Sequence, residues 1–169
     1  QKSLVLARDG RVAPYFIAAC DRADDPQGLV QQGNEWVCGA RRADAAFFFA
    51  HDRESALAER AAALDALTFH QALGSYATKS DAVDRLAASP PFDALGLASP
   101  GDVRRAIMLA KADLTTALVG EFAELQGVIG GIYVRLDGEP EAVWQAVYDQ
   151  YQPAGTDGPV PRGQTGAAV

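Results

Sequence analysis

The chain has 169 residues, 49% of them hydrophobic and 22% charged, a composition that supports a folded core and excludes a disordered tail. Fifteen Lys and Arg against 22 Asp and Glu leave a formal net charge of −7. That argues against a dedicated nucleic-acid module with a concentrated basic surface, while leaving room for a local basic patch. Cys20 and Cys38 lie far apart with no C-x-x-C pair, which fits a reduced, cytosolic chain.

The longest apolar stretches, Ala45–Ala50 and Val128–Val134, fall far short of the ~20 residues a membrane-crossing helix needs. No basic-then-apolar signal peptide follows Gln1-Lys2-Ser3-Leu4. There is no initiator Met either, so the expectation is a processed chain or a piece of something larger.

Ser3–Ala7 and Tyr15–Ala19 flank Arg8-Asp9-Gly10-Arg11, and the Asp-Gly pair predicts a tight hairpin turn. Pro14 removes a ladder donor and is expected at the start of the second strand or on an edge. From Pro26 onward the pattern is helical. Leu29, Gly33, Trp36, Ala40, Ala43, Phe47 and Ala50 recur at three- and four-residue steps. Phe48 and Phe49 widen that face, predicting a helix buried on more than one side. Ser55 is placed to cap a second helix carrying Leu57, Ala61 and Leu64, and a third runs from about Leu73 to Ala88 before Pro90-Pro91.

Ser99-Pro100-Gly101-Asp102 is a helix start: a capping hydroxyl, proline at the first position and a carboxylate at the positive end. Val103, Ile107, Ala110, Leu114 and Leu118 form its buried stripe. Glu121 to Leu136 is expected to be helical as well. Its Gly127, Gly130 and Gly131 would cost roughly 1 kcal/mol each in helix propensity unless a neighbour packs close against them. Glu139-Pro140-Glu141 opens a last helix through Tyr151. The tail from Gln152 to Val169 holds three prolines and four glycines without periodicity, and Gly166–Val169 looks like the first turn of a further element.

Few residue patterns carry chemistry. His51-Asp52 has the composition of an HD-type metal site, but such a site needs another His upstream, and the second histidine, His70, lies downstream. The plainer expectation is a helix-end His beside a surface Asp. Glu121 and Glu124 at i and i+3 read as a solvated helix face. Arg41, Arg42, Arg53, Arg60, Arg104, Arg105 and Lys111 are each able to touch phosphate, and each is as easily a salt-bridged helix residue. Trp36, Trp144, Tyr148 and Tyr151 are expected in the core. No phosphate loop or nucleophile elbow occurs.

One long match goes further. Lys111-Ala112-Asp113-Leu114 through Glu121-Phe122-Ala123-Glu124-Leu125-Gln126-Gly127-Val128-Ile129-Gly130 resembles the K-A-D-L…E-F-x-E-L-Q-G-x-x-G signature of the bacterial glycyl-tRNA synthetase beta subunit. Gly33-Asn34-Glu35 with Ala40-Arg41, Ala43-Asp44-Ala45 and Phe47-Phe48 resembles that family's G-N-E…A-R-x-A-D-A-x-F-F. Leu73-Gly74-Ser75 with Lys79, Asp137-Gly138-Glu139, and Tyr151-Gln152-Pro153 match further short motifs, and Gln1-Lys2 with Pro14–Ile17 is similar to the stretch before them. Trp36, Cys38, Gly39, Ala77-Thr78, Ala123 and Gly131 depart from the family pattern.

The resemblance implies an internal fragment of a longer subunit with a mainly α fold. A β-hairpin and long helix (1–72) would belong to a neighbouring α+β domain, and 73–169 would form an incomplete, degenerate HD-like helical domain. It implies a holoenzyme that is an aminoacyl-tRNA synthetase of the cytoplasm, attaching glycine to tRNA-Gly with ATP and Mg held by the alpha subunit. This fragment would then contain no catalytic residue and bind no cofactor or metal, and its partners would be the alpha subunit and tRNA-Gly, with no membrane. Arg41, Arg42, Arg104, Arg105 and Lys111 become the tRNA-binding candidates. Asp113, Glu121, Phe122, Glu124, Leu125, Gln126, Gly127 and Gly130 become structural signature positions, with Ala112-Asp113 the remnant of an HD pair. The two rivals are an HD-type metal-dependent phosphohydrolase and a non-catalytic helical interaction module.

Overall fold

The computed structural model describes residues 3–21, 24–90, 94, 96 and 99–169. Gln1-Lys2 and Pro91, used in the sequence reading, lie outside the described residues. The protein is mainly helical with a small hairpin, and it divides into two compact units, 1–46 and 47–169.

In the first unit, β1 (Ser3–Arg8) pairs antiparallel with β2 (Arg11–Ala18). Asp9 and Gly10 have φ of 52° and 72°, so both central residues of the two-residue turn are left-handed, as the primed hairpin turns require. Pro14 lies inside β2 rather than at its start. The register breaks between Val5 opposite Phe16 and Ala7 opposite Val12, so Pro14 falls among the unpaired residues of an irregularity where no ladder donor is needed.

Helix α1 (Leu29–Asp52) begins where the Asp25 carboxylate accepts from the Val30 and Gln31 amides, both at 3.0 Å. The unit boundary falls within this helix. Its expected burial is not observed: Leu29, Trp36 and Phe47 are exposed, Trp36 to 75%. Periodicity records an apolar stripe and carries no information on whether the same 169 residues cover it.

The second unit holds the core. Short helix α2 (Leu57–Arg60) runs into a 3-10 turn (Ala61–Ala66), and the strand pair β3 (Thr68–His70) and β4 (Gly74–Ser75) leads into α3 (Tyr76–Ala87). Ser75 caps α3 by accepting from the Thr78 amide at 3.2 Å. Helix α4 (Pro100–Leu109) starts as its sequence demands, with Ser99 Oγ accepting from the Asp102 amide. The expected long stripe from Val103 to Leu118 is broken: a 3-10 turn (Ala112–Thr115) separates α4 from α5 (Ala117–Glu121). The helix expected over Glu121–Leu136 is broken too. A further 3-10 turn (Ala123–Leu125) and Gly127 at φ 78° intervene before α6 (Val128–Leu136). Helix α7 (Glu141–Asp149) and the tail helix α8 (Gly163–Ala168) follow.

Val103, Ala106 and Leu109 of α4, Tyr133 and Val134 of α6, and Val143, Ala146 and Val147 of α7 are all buried. Leu57 and Leu64 close the same core, each side chain contributing about 1.5–3 kcal/mol by leaving water. The tail is anchored rather than loose. Asp149 accepts from the Arg162 amide at 2.9 Å and pairs bidentately with its guanidinium at 2.6 and 2.8 Å, which seats buried Thr165 and Gly166 of α8. The proline- and glycine-rich composition hid this anchor, because a single Arg–carboxylate fork has no periodicity to read.

Helix α2 is capped from far along the chain. Asp137 Oδ2 accepts from the Leu57 amide at 2.8 Å while Oδ1 takes the Arg53 guanidinium, and Ala56, not Ser55, is the cap residue. Asp137→Ala is therefore expected to lower the unfolding free energy by about 1–2 kcal/mol. Ser55→Ala should change it by less than about 0.5 kcal/mol. Parallel urea denaturation of the two variants checks this ordering.

Candidate functional site

The signature block folds into a turn-rich strap between α4 and α6, and its Asp113 carboxylate points inward. Asp113 is fully buried and its Oδ2 accepts from the Gly127 amide at 2.5 Å. Gly127 presents that amide only because it adopts φ 78°, and a Cβ there would lie 2.7 Å from the Tyr151 ring. One turn on, a Cβ on Gly130 would come within 2.8 Å of the same Asp113 oxygen. Burial holds the Asp113 carboxyl above the usual carboxylate range, against the Gly127 amide and the Lys111 charge, which pull it down. Among the described residues its Oδ1 has no hydrogen-bond partner.

Lys111 sits at the edge of this pocket, its ammonium 3.9 Å from the centroid of the Tyr151 ring. Burial, then repulsion from Lys79, lowers its pKa to about 8, with Asp113 acting in the opposite direction. Tyr151 donates to Gln126 Oε1 at 3.2 Å, and burial with the Asp113 charge raises its phenol to about 12. Of the other signature residues, Phe122 is buried, Leu125 and Gln126 are half-buried, and Glu121 and Glu124 are exposed.

Asp52 is a second buried hub, which corrects the expectation of a surface carboxylate. It is 2% exposed, and its two oxygens accept from the Ala117 and Leu118 amides at 2.9 Å each, capping α5. Tyr133 donates to it at 3.2 Å and the Arg60 guanidinium lies 3.7 Å away. Burial, then the neighbouring Asp52 charge, raises the Tyr133 phenol. His51 instead faces outward beside Glu54 at 3.5 Å. The dipeptide therefore splits between core and solvent, as adjacent helical residues do. Among the described residues, no three His, Cys, Asp or Glu side chains converge as a metal site would require.

The five basic candidates divide between the two units. Arg41 and Arg42 lie exposed on α1 in the first unit. Arg104 makes a bidentate pair with Asp84 at 2.7 Å on both arms, which holds the Asp84 carboxyl below its ordinary range. Arg105 pairs with Glu139, its Nε donating at 2.9 Å. The Asp137-Gly138-Glu139 turn thus ties Arg53 and Leu57 on one side and Arg105 on the other. Sequence reasoning took Asp52 for a surface carboxylate and did not single out Asp137 or Asp149 as capping or anchoring groups. Only the Asp-Gly-Glu motif signalled one of them, since long-range caps leave no local spacing.

Arg104, Arg105 and Asp84 border a cleft of about 510 Å³ that Leu64 and Ile107 also line. Among the described residues no helix is long and apolar enough to cross a membrane.

Comparison with known proteins agrees along the whole chain. A family model described as glycyl-tRNA synthetase beta subunit matches residues 1–169. The chain is 43% identical over 157 residues to the glycine–tRNA ligase beta subunit of Acidobacterium capsulatum, covering 90% of this chain and 22% of that protein. It is 41% identical over 167 residues to the beta subunit of Chromohalobacter salexigens, and 38% identical over 166 to that of Acinetobacter baumannii, covering in each case 98% of this chain and 24% of the relative. It thus spans about a quarter of the length of these relatives.

Proposed function

The chain belongs to the glycyl-tRNA synthetase beta subunit family, and from that premise we propose that it is a segment of a beta subunit supporting ATP-dependent attachment of glycine to tRNA-Gly in the cytoplasm. Residues 73–169, as a degenerate HD-like helical domain, scaffold the subunit, and the segment offers part of a tRNA-facing surface. Glycine activation, with ATP and Mg, belongs to the alpha partner, and no residue of this segment is assigned to catalysis.

The observation that carries this reading is the family match over residues 1–169, the signature strap included. Within that strap Asp113, Gly127 and Gly130 lock together, so these identities serve packing. Arg41 and Arg42 are exposed and Lys111 is half-buried, while Arg104 and Arg105 would have to exchange carboxylate partners to reach phosphate. The phosphohydrolase alternative is disfavoured, because both Asp52 oxygens are already committed to backbone amides. The helical interaction module remains as the second reading, favoured by the exposed apolar face of α1.

The test is glycylation of tRNA-Gly by the full reading frame that carries this chain, assembled with an alpha subunit. Charging that disappears on deletion of this segment is the expected result. No charging from a folded, assembled pair would overturn the synthetase reading in favour of the helical module.

A further inference from the structure

The first unit lacks a core of its own. None of its described residues is buried, and its most apolar strand is also its barest. Leu4 and Val5 of β1 each keep 68% of their surface in solvent. The run Leu4-Val5-Leu6-Ala7 puts apolar side chains on both faces of the strand, the pattern of an inner strand covered on both sides rather than of a hairpin in water.

The two edges of the hairpin differ. β2 carries the devices that stop a sheet from growing: Pro14, and an irregularity that sets Ala13, Pro14 and Tyr15 against Leu6 alone. β1 has neither, and from Leu4 to Ala7 it carries no charge, so its outer row of amides and carbonyls is undefended. The faces differ as well. Phe16 and Ala18 line a cleft with Val30, Gln31 and Asn34, so the start of α1 lies against their side. Leu4 pairs with Ile17, and by the pleat these two share the opposite face with Leu6. All three are exposed.

We infer that β1 is an inner strand of a larger sheet. A further strand of the same polypeptide, from outside residues 1–169, pairs with its outer edge, and another layer of that polypeptide covers Leu4, Leu6 and Ile17. The sheet ends at β2. This rests on the chain being a segment of a longer subunit: the beta subunits it matches hold about three quarters of their length outside the matched stretch, ample chain for both roles. A second copy of the hairpin is a poorer occupant, because joining two β1 edges satisfies the ladder but doubles the bare face instead of covering it.

The experiment is amide hydrogen exchange at single-residue resolution on the full beta chain, alone and assembled with its alpha partner. In a two-stranded ladder every second amide of each strand faces solvent, whereas an inner strand has all of its amides bonded. Leu4, Val5, Leu6 and Ala7 should therefore all exchange about 100-fold or more slower than an open chain, while Phe16 to Ala18 of β2 keep an alternating pattern. Leu4→Lys should speed exchange across β1 about tenfold or more and leave α4 slow. Alternation in β1 of the wild-type chain, alone and assembled, would overturn the inference, as would exchange unchanged by Leu4→Lys. Protection that appears only with the alpha partner would assign the strand to that partner, and protection that rises with protein concentration would assign it to a second copy; either overturns the same-chain strand. None of these readouts involves glycylation, so a failure here is distinct from a failure of the synthetase reading.

Discussion

Asp52→Ala is expected to destabilise the chain by about 3–5 kcal/mol, the largest effect of any single polar substitution here. The substitution removes one carboxylate and strands four groups: the Ala117 and Leu118 amides at 2.9 Å, the Tyr133 hydroxyl at 3.2 Å and the half-buried Arg60 guanidinium at 3.7 Å. Each amide left without an acceptor in the interior costs about 1–3 kcal/mol, and Arg60 loses the anion beside it. Among the described residues Arg60 already carries a buried Nε with no acceptor, and none of them is poised to compensate. Asp52→Asn should fall between, since its single carbonyl can serve one amide while its NH2 faces donors. His51→Ala, one residue away and exposed, should lie within about 0.5 kcal/mol of wild type. Urea unfolding monitored by tryptophan fluorescence separates the three. Equal midpoints for Asp52→Ala and His51→Ala would refute the buried-hub assignment.

Gly131→Ala should cost about 3 kcal/mol, the upper end of the range for overpacking a core. The added Cβ would stand 2.5 Å from Tyr148 Cβ, 2.7 Å from its Cα and 2.8 Å from its amide nitrogen. Those are backbone or backbone-linked atoms of α7, so relief requires α6 and α7 to separate along a contact lined by Val134, Val143 and Val147. Gly120→Ala provides the contrast. It lies in α5 with nothing within 4 Å of its would-be Cβ, and the same methyl should stabilise by about 0.5–1 kcal/mol. Opposite signs for one chemical change, read by thermal denaturation, test the α6–α7 packing directly. Gly131→Ala as stable as wild type would mean that these helices do not approach as closely as described.

What the sequence disclosed depended on whether information was local. The Asp9-Gly10 turn, the Ser99-Pro100 helix start and the close-approach role of Gly130 and Gly131 are each written within a few residues, and each was legible. The breaks at Ala112–Thr115 and Ala123–Leu125 were not, because 3-10 turns keep apolar spacing near three and mimic a continuing helix. Trp36 misled for a different reason: spacing marks an apolar stripe, and 75% exposure shows that the stripe lacks cover in this chain. At the candidate site, the resemblance drew attention to Lys111 and Asp113. The Asp84 partner of Arg104 arrives from 20 residues upstream and has no signature of its own.

The remote capping of α2 and α5 also bears on how the protein is made. The Leu57 amide waits for a carboxylate 80 positions later, and Asp52 waits for amides 65 and 66 positions later. At a synthesis rate of about 5–20 residues per second, α2 emerges from the ribosome about 4–16 s before its cap exists. During that interval Leu57 and Leu64 have no core to enter, and the growing chain is at its most exposed to proteases and to association with other nascent chains. Slow codons translated after position 57 has left the exit tunnel and before position 137 has done so would lengthen that window.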